Sequence, residues 1–302
     1  MLFRQFESAF QRVLTAVLLA MMLTINIIAN DVASTDADSE RHVFRYKFRQ
    51  GDILKWEIGS YIEQMTIKAS QKDTTNTRSV STKIWKVLSV DENGQAVLEY
   101  SIADVEMRCY SSYEKAERRY DSKTDEKPPA EYMHIAELIG KPIAHFTINS
   151  QGEIVNRVQK ANVAVTMQFA ETAEENRITI PMPEHAIGVG DSWDYPREIM
   201  LPKPNGTVKK IAVRERYTLE KMQDGTATFS FKTDVITPLY DDKESEWDLR
   251  TKIRNGQIQF DMVEGRSISQ QYDSRQSAIN VQQIGIKGSS TYVSRFTEKY
   301  IR

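Results

Sequence analysis

Apolar and polar residues alternate with period two along most of this chain, and each alternating run ends at a turn signal. Between Val80 and Ile102, Lys83, Trp85, Val87 and Ser89 share one phase while Ile84, Lys86, Leu88 and Val90 share the other. After Asn93-Gly94, Ala96, Leu98, Tyr100 and Ile102 point one way and Gln95, Val97, Glu99 and Ser101 the other. Period two is the mark of a strand with one buried face, and Asn-Gly supplies the left-handed dihedrals of a tight hairpin. The same phase returns after Asp224-Gly225 in Ala227, Phe229, Phe231, Thr233 and Val235. Counted from the turn glycines, Leu98 matches Phe229. A last strand is predicted over Ser290 to Tyr300, and a first where Phe44, Tyr46 and Phe48 alternate with Val43, Arg45 and Lys47.

Three landmarks recur in order. The first half has Gly51-Asp52 with Trp56, then the turn at Gly94, then Phe146 leading to Gly152; the second has Gly190-Asp191 with Trp193, then Gly225, then Phe260 leading to Gly265. Two copies of one β-rich unit account for this series. The expected fold is mainly β (β-rich α+β): two tandem, related, antiparallel curved sheets or half-barrels with one or two short helices between strands.

Helical spacing replaces alternation in two places. Met133, Ala136 and Leu138 before Gly140 and Pro142 predict a short helix near 131–140, and Val163, Met167 and Ala170 opposite Glu171, Glu174 and Glu175 predict another over 162–175. The charge-dense stretch Ser111–Ala130 reads as an exposed excursion, with helix as an option around Tyr113 to Arg119. Asn205-Gly206 and Asn255-Gly256 read as further turns. The predicted organisation is a signal peptide (1–29), a disordered polar segment (30–42), a first β repeat (43–176) and a second (177–302).

The signal-peptide reading rests on Arg4 and Arg12 followed by an apolar stretch from Val13 to Ile28, then small and polar residues. About 20 apolar residues are needed to span a bilayer as a helix, so cleavage is expected and not a stable transmembrane anchor. Removing 1–29 leaves 38 Lys+Arg against 41 Asp+Glu. A slightly acidic chain argues against nucleic acid as partner. Cys109 is the only cysteine, so no internal disulfide forms and stability must come from apolar burial.

Candidate chemistry is sparse. His42, His134, His145 and His185 lack the spacing of metal or haem ligands, and neither a nucleophile elbow nor a phosphate loop occurs. Asp241, Asp242 and Glu244, with Glu246 and Asp248 behind them, are weak metal candidates without a calcium-loop frame. Gly-Asp with a following Trp is a turn plus an aromatic anchor. No catalytic residue and no cofactor is expected.

The Gly-Asp starts, the Asn93-Gly94 and Asp224-Gly225 hairpins, Tyr120-Asp121-Ser122, and Leu138-Ile139-Gly140-Lys141-Pro142-Ile143 leading into Phe146 and Gly152-Glu153-Ile154 resemble an uncharacterised family of exported bacterial, planctomycete-type β-proteins. Tyr272-Asp273-Ser274 echoes the Tyr-Asp-Ser element but follows Gly265 instead of preceding it. The family has no assigned activity, so the resemblance implies no site residues. A looser fold-level likeness is to lipoprotein carriers, whose curved sheet encloses acyl chains. The chain is therefore expected to be an exported, non-catalytic periplasmic or envelope protein that binds an apolar ligand or lipid on a concave sheet face. The alternatives are a structural or protein-interaction module presenting Ser111–Ala130 to another envelope protein, and a hydrolase whose site is dispersed over strands.

Overall fold

A computed structural model describes residues 40–68, 71–160, 179–202, 207–239, 245, 249, 252–279 and 288–302. Within it, His42–Arg302 form one compact unit. Among the described residues twelve strands form a single antiparallel sheet. The first six are β1 (Ile53–Lys68), β2 (Gln71–Val90), β3 (Ala96–Ser111), β4 (Ala116–Asp121), β5 (Pro142–Ile148) and β6 (Ile154–Gln159). The second six are β7 (Ser192–Pro202), β8 (Val208–Gln223), β9 (Thr226–Val235), β10 (Asn255–Asp261), β11 (Arg266–Ile279) and β12 (Ser289–Ile301). Their order is β6-β5-β3-β2-β1-β12-β11-β10-β9-β8-β7, with β4 beside β5 along β3.

The two sheets expected from the sequence are halves of one. β12 pairs with β1 from Lys55↔Ile301 to Ile67↔Ser289 and with β11 from Ser269↔Lys299 to Ile279↔Ser289, and so welds the halves together. The order β6-β5-β3-β2-β1 in one half is the order β11-β10-β9-β8-β7 in the other.

One face of the sheet carries the core. In the first half Leu54, Trp56, Trp85, Val87, Leu98, Phe146 and Ile148 pack together; in the second, Tyr217, Leu219, Phe229, Phe231, Ile258 and Phe260 do. Leu98 and Phe229, matched by counting from the turns, are both fully buried. The segment 43–48 is not a strand of the ladder. It runs extended against this face, where Phe44 and Tyr46 meet Phe260 edge-on. Tyr46 N–H donates to Ser150 O and Lys47 N–H to Gly265 O. The period-two signal was real, but it reports one buried side of a lone extended segment as readily as a strand. Residues 179–187 close the same end: His42 and Ile187 exchange backbone hydrogen bonds, and Ile180 and Met182 are buried.

The helical spacing near 131–140 corresponds to a 3-10 turn (Ala130–Tyr132) and helix α1 (Met133–Ala136), with Gly140 at φ 73°. The helix expected over 162–175 lies outside the described residues, as do residues 1–39 and Asn205-Gly206. Two readings are corrected. Ser111–Ala130 is not simply an exposed excursion, nor helical at Tyr113–Arg119: β4 pairs with β3, and Tyr120 is buried and stacked on Tyr132. Asn255-Gly256 is not a turn but the start of β10; a Cβ at Gly256 would collide with the Gln271 carbonyl and the Tyr272 and Phe231 side chains. Glycine is there for close approach between strands.

Candidate functional site

The repeat positions sit at one end of the sheet in matched geometry. Gly51 N–H donates to Val87 O and Val87 N–H to Asp52 O; Gly190 N–H donates to Leu219 O and Leu219 N–H to Asp191 O. A bulge follows each, at Val87/Ser89 and at Leu219/Lys221. Gly51 and Gly190 have φ 90° and 92°, Gly94 and Gly225 76° and 73°, Gly152 and Gly265 87° and 62°. Positive φ is where glycine is favoured over residues bearing a Cβ. The tryptophans do not match. Counted from the Gly-Asp starts, Trp193 corresponds to Leu54 and Trp56 to Tyr195, neighbouring rows of one face. Trp56 donates to Ser267 O and Trp193 to Pro181 O.

Along the inward face the chemistry changes in steps. The aromatic rows come first, then buried charge. Lys83 on β2 and Glu298 on β12 form an ion pair across β1, both side chains under a tenth exposed. The ammonium lies 4.8 Å from the Trp56 ring centroid and 4.7 Å from that of Trp85. In the other half Arg197 pairs with buried Glu215, which also accepts from Tyr217 Oη at 2.7 Å. Burial pushes the Tyr46 and Tyr100 phenols well above their ordinary range, and the Glu298 charge pushes the same way, so both stay neutral. Tyr46 Oη accepts the Ile180 N–H at 2.7 Å.

Beyond the ion pairs the inward positions of the central strands become mainly polar, with Ser60 on β1, Ser79 and Ser81 on β2, Ser274 on β11, and Ser290 and Ser294 on β12, and Ile62 on β1 and Tyr292 on β12 lie among them. Ser274 and Ser290 are buried. The Ser290 hydroxyl has no hydrogen-bond partner among the described residues, nor has Trp85 Nε1. An unpartnered buried polar atom is costly, and in a native structure it points to an unseen partner.

Of the other candidates, Cys109 shares this inward face, opposite Thr77, which is itself opposite Ile62, while His145 lies on the outer side and the carboxylate cluster outside the described residues. His145 Nε2 meets Glu99 Oε2 at 3.3 Å on the outer side of β5 and β3. Half-buried Cys109 meets Thr77 Oγ1 at 3.8 Å. Asp241, Asp242 and Glu244 lie outside the described residues; among those described, no three His, Cys, Asp or Glu gather as a metal set. Sequence reasoning missed the Lys83–Glu298 pair. The available signal was phase, since Lys83 shares that of Trp85 and Val87 and Glu298 that of Phe296.

No family model and no curated protein matches the chain. Solved structures are similar. A chain from a study of lipid–protein interactions in lipovitellin superposes with a TM-score of 0.50 at 11% identity, covering 85% of this chain and 26% of that one. DynF, from the dynemicin biosynthesis pathway of Micromonospora chersina, gives 0.23 at 9% identity with 86% of each chain covered. A domain described as outer membrane lipoprotein-sorting, from Vibrio parahaemolyticus, gives 0.15 at 11%, covering 79% of this chain and 83% of that one. Only the first superposition bears on the fold, so the chain resembles about a quarter of a lipovitellin chain as a large antiparallel sheet.

Proposed function

We propose that this is an exported, non-catalytic protein of the cell envelope that holds an amphiphilic ligand, a lipid, against the inward face of its sheet. The observation that carries the reading is the stepwise change along that face. The end near the turn glycines is closed by residues 44–48 and 180–187, which leaves the central strands beyond Lys83–Glu298 as the binding surface. There half-buried Ile62 and Tyr292 offer apolar contact, serine hydroxyls surround them, and buried Ser290 lacks a partner among the described residues. Such a mixture suits a molecule with an acyl part and a polar part. The likeness to the lipovitellin sheet supports the reading through the fold alone.

The two halves are, in the same reading, copies of one five-stranded unit, joined by β12. The matched strand order, hydrogen bonds and bulges support this. The interaction-module alternative loses ground, because β4 and buried Tyr120 make part of Ser111–Ala130 integral to the fold.

The test is native mass spectrometry of protein purified from its own host, with solvent extraction of whatever co-purifies. The expected result is a chain beginning near residue 30 that carries lipid, and loss of that lipid in Ile62→Glu without a change in circular dichroism. A bare chain mass, together with no saturable uptake of a fluorescent fatty acid, would overturn the reading.

A further inference from the structure

The outer face of β9 to β12 carries a feature that the inward-face reading does not use. A concavity of about 640 Å³ opens across these four strands. Its lining includes outward residues that the register sets out in two polar rungs: Gln257 opposite Gln271 in one, and Gln259, Ser269 and Lys299 in the next. Residues two apart along a strand are separated by about 7 Å, and adjacent strands by about 4.8 Å. The surface is thus a grid of hydrogen-bonding groups held at fixed spacings on paired strands.

Three properties say what it fits. The amides are uncommitted: among the described residues neither Gln257 nor Gln271 has a side-chain partner, and Gln259 has one, accepting from the Ser269 hydroxyl at 2.9 Å. That bond places the Gln259 amide oxygen toward Ser269 and leaves its NH₂ as a donor. The contrast is with the outer face of β7 to β9, where Asp194, Arg214, Arg216, Asp234 and Lys232 are tied to one another in ion pairs. Charge around the concavity balances, with Asp224 and Asp261 against Lys299 and Arg302; the remaining carboxylate, Glu298, is paired with Lys83. A balanced site gives no advantage to a polyanion. The strands' backbone groups are used in the ladder, so an extended peptide has no edge to join here.

We infer that this concavity binds a neutral oligosaccharide. A carboxamide carries two donors and two acceptor lone pairs side by side, which matches the adjacent hydroxyls of a sugar ring. Several amides at fixed spacing then select a chain of such rings over a single hydroxyl compound. With solvent-exposed hydrogen bonds and no charge assistance the affinity is weak, since each such bond contributes little net free energy.

The experiment labels the glutamine side-chain amides with nitrogen-15 and follows them by NMR while maltotetraose, cellotetraose or tetra-N-acetylchitotetraose is added. Inorganic phosphate and a heparin tetrasaccharide serve as charged probes. The expected result is saturable shifts of the Gln257, Gln259 and Gln271 amides with at least one neutral tetrasaccharide. The double variant Gln257→Ala/Gln271→Ala should lose tenfold or more in affinity at an unchanged melting temperature, and Gln271→Glu should also weaken binding. The inference is overturned if none of the neutral probes gives saturable shifts, if only the charged probes bind, or if the double variant binds as wild type. Lipid uptake on the inward face is measured separately, so failure here leaves that reading standing, and the converse holds.

Discussion

Replacing the Lys83–Glu298 pair one side at a time and then together tests how the halves of the sheet are held. Both side chains are under a tenth exposed. Lys83→Met leaves the Glu298 carboxylate buried without its partner, a situation that costs about 3–5 kcal/mol. It also removes the ammonium from over Trp56 and Trp85, at about 0.5–2 kcal/mol. Glu298→Leu leaves the ammonium between two indole rings that still attract it, so it should cost about 1–2 kcal/mol less than Lys83→Met. The double variant restores a neutral, well-filled interior and should lie within about 2 kcal/mol of wild type, on either side, because the pair's attraction and its desolvation nearly cancel. Urea unfolding followed by tryptophan fluorescence and far-ultraviolet circular dichroism gives the four stabilities, provided the two probes coincide. Single costs below about 1 kcal/mol would mean water reaches the pair. Costs that simply add in the double variant would mean the two charges do not interact.

Leu98→Ala and Phe229→Ala each empty a fully buried position and should cost about 2–5 kcal/mol, whereas Glu99→Ala and Ser230→Ala on the outer face should cost little in the same urea titration. Gly152→Ala should destabilise far more than Gly51→Ala. Both positions have positive φ, but a Cβ at Gly152 would lie 2.5 Å from Ile180 O and from the Tyr46 ring, while at Gly51 it meets open space and adds only about 1–2 kcal/mol of strain. A hydrogen bond from Arg216, helped by the Arg214 charge, holds the Asp194 carboxyl below its ordinary value of 3.8. A depressed carboxylate contributes stability that is present above the unfolded value and lost as pH falls through the folded one. Asp194→Asn should therefore lower the melting temperature slightly above about pH 4, converge with wild type in acid and so show a smaller acid-side loss; a variant that still shows the full acid loss would assign it elsewhere.

Local chemistry was legible in the sequence because it acts over a few residues. Side-chain alternation marked β2, β3, β9 and β12 and placed Leu98 and Phe229 inward. The turns at Gly94 and Gly225 were readable because glycine relieves a backbone strain that is set locally. The same short range explains the misreadings. A lone extended segment with one buried side, such as 43–48, alternates like a strand. Asn255-Gly256 looks like a turn until β11 is seen pressing against Gly256. The β4 strand hides in a charged stretch because its register is supplied by β3. Tertiary structure alone decided that β12 joins the halves into one sheet and that Lys83 meets Glu298 from 215 residues away. Only long-range pairing sets which strands become neighbours and which charges share a dry site.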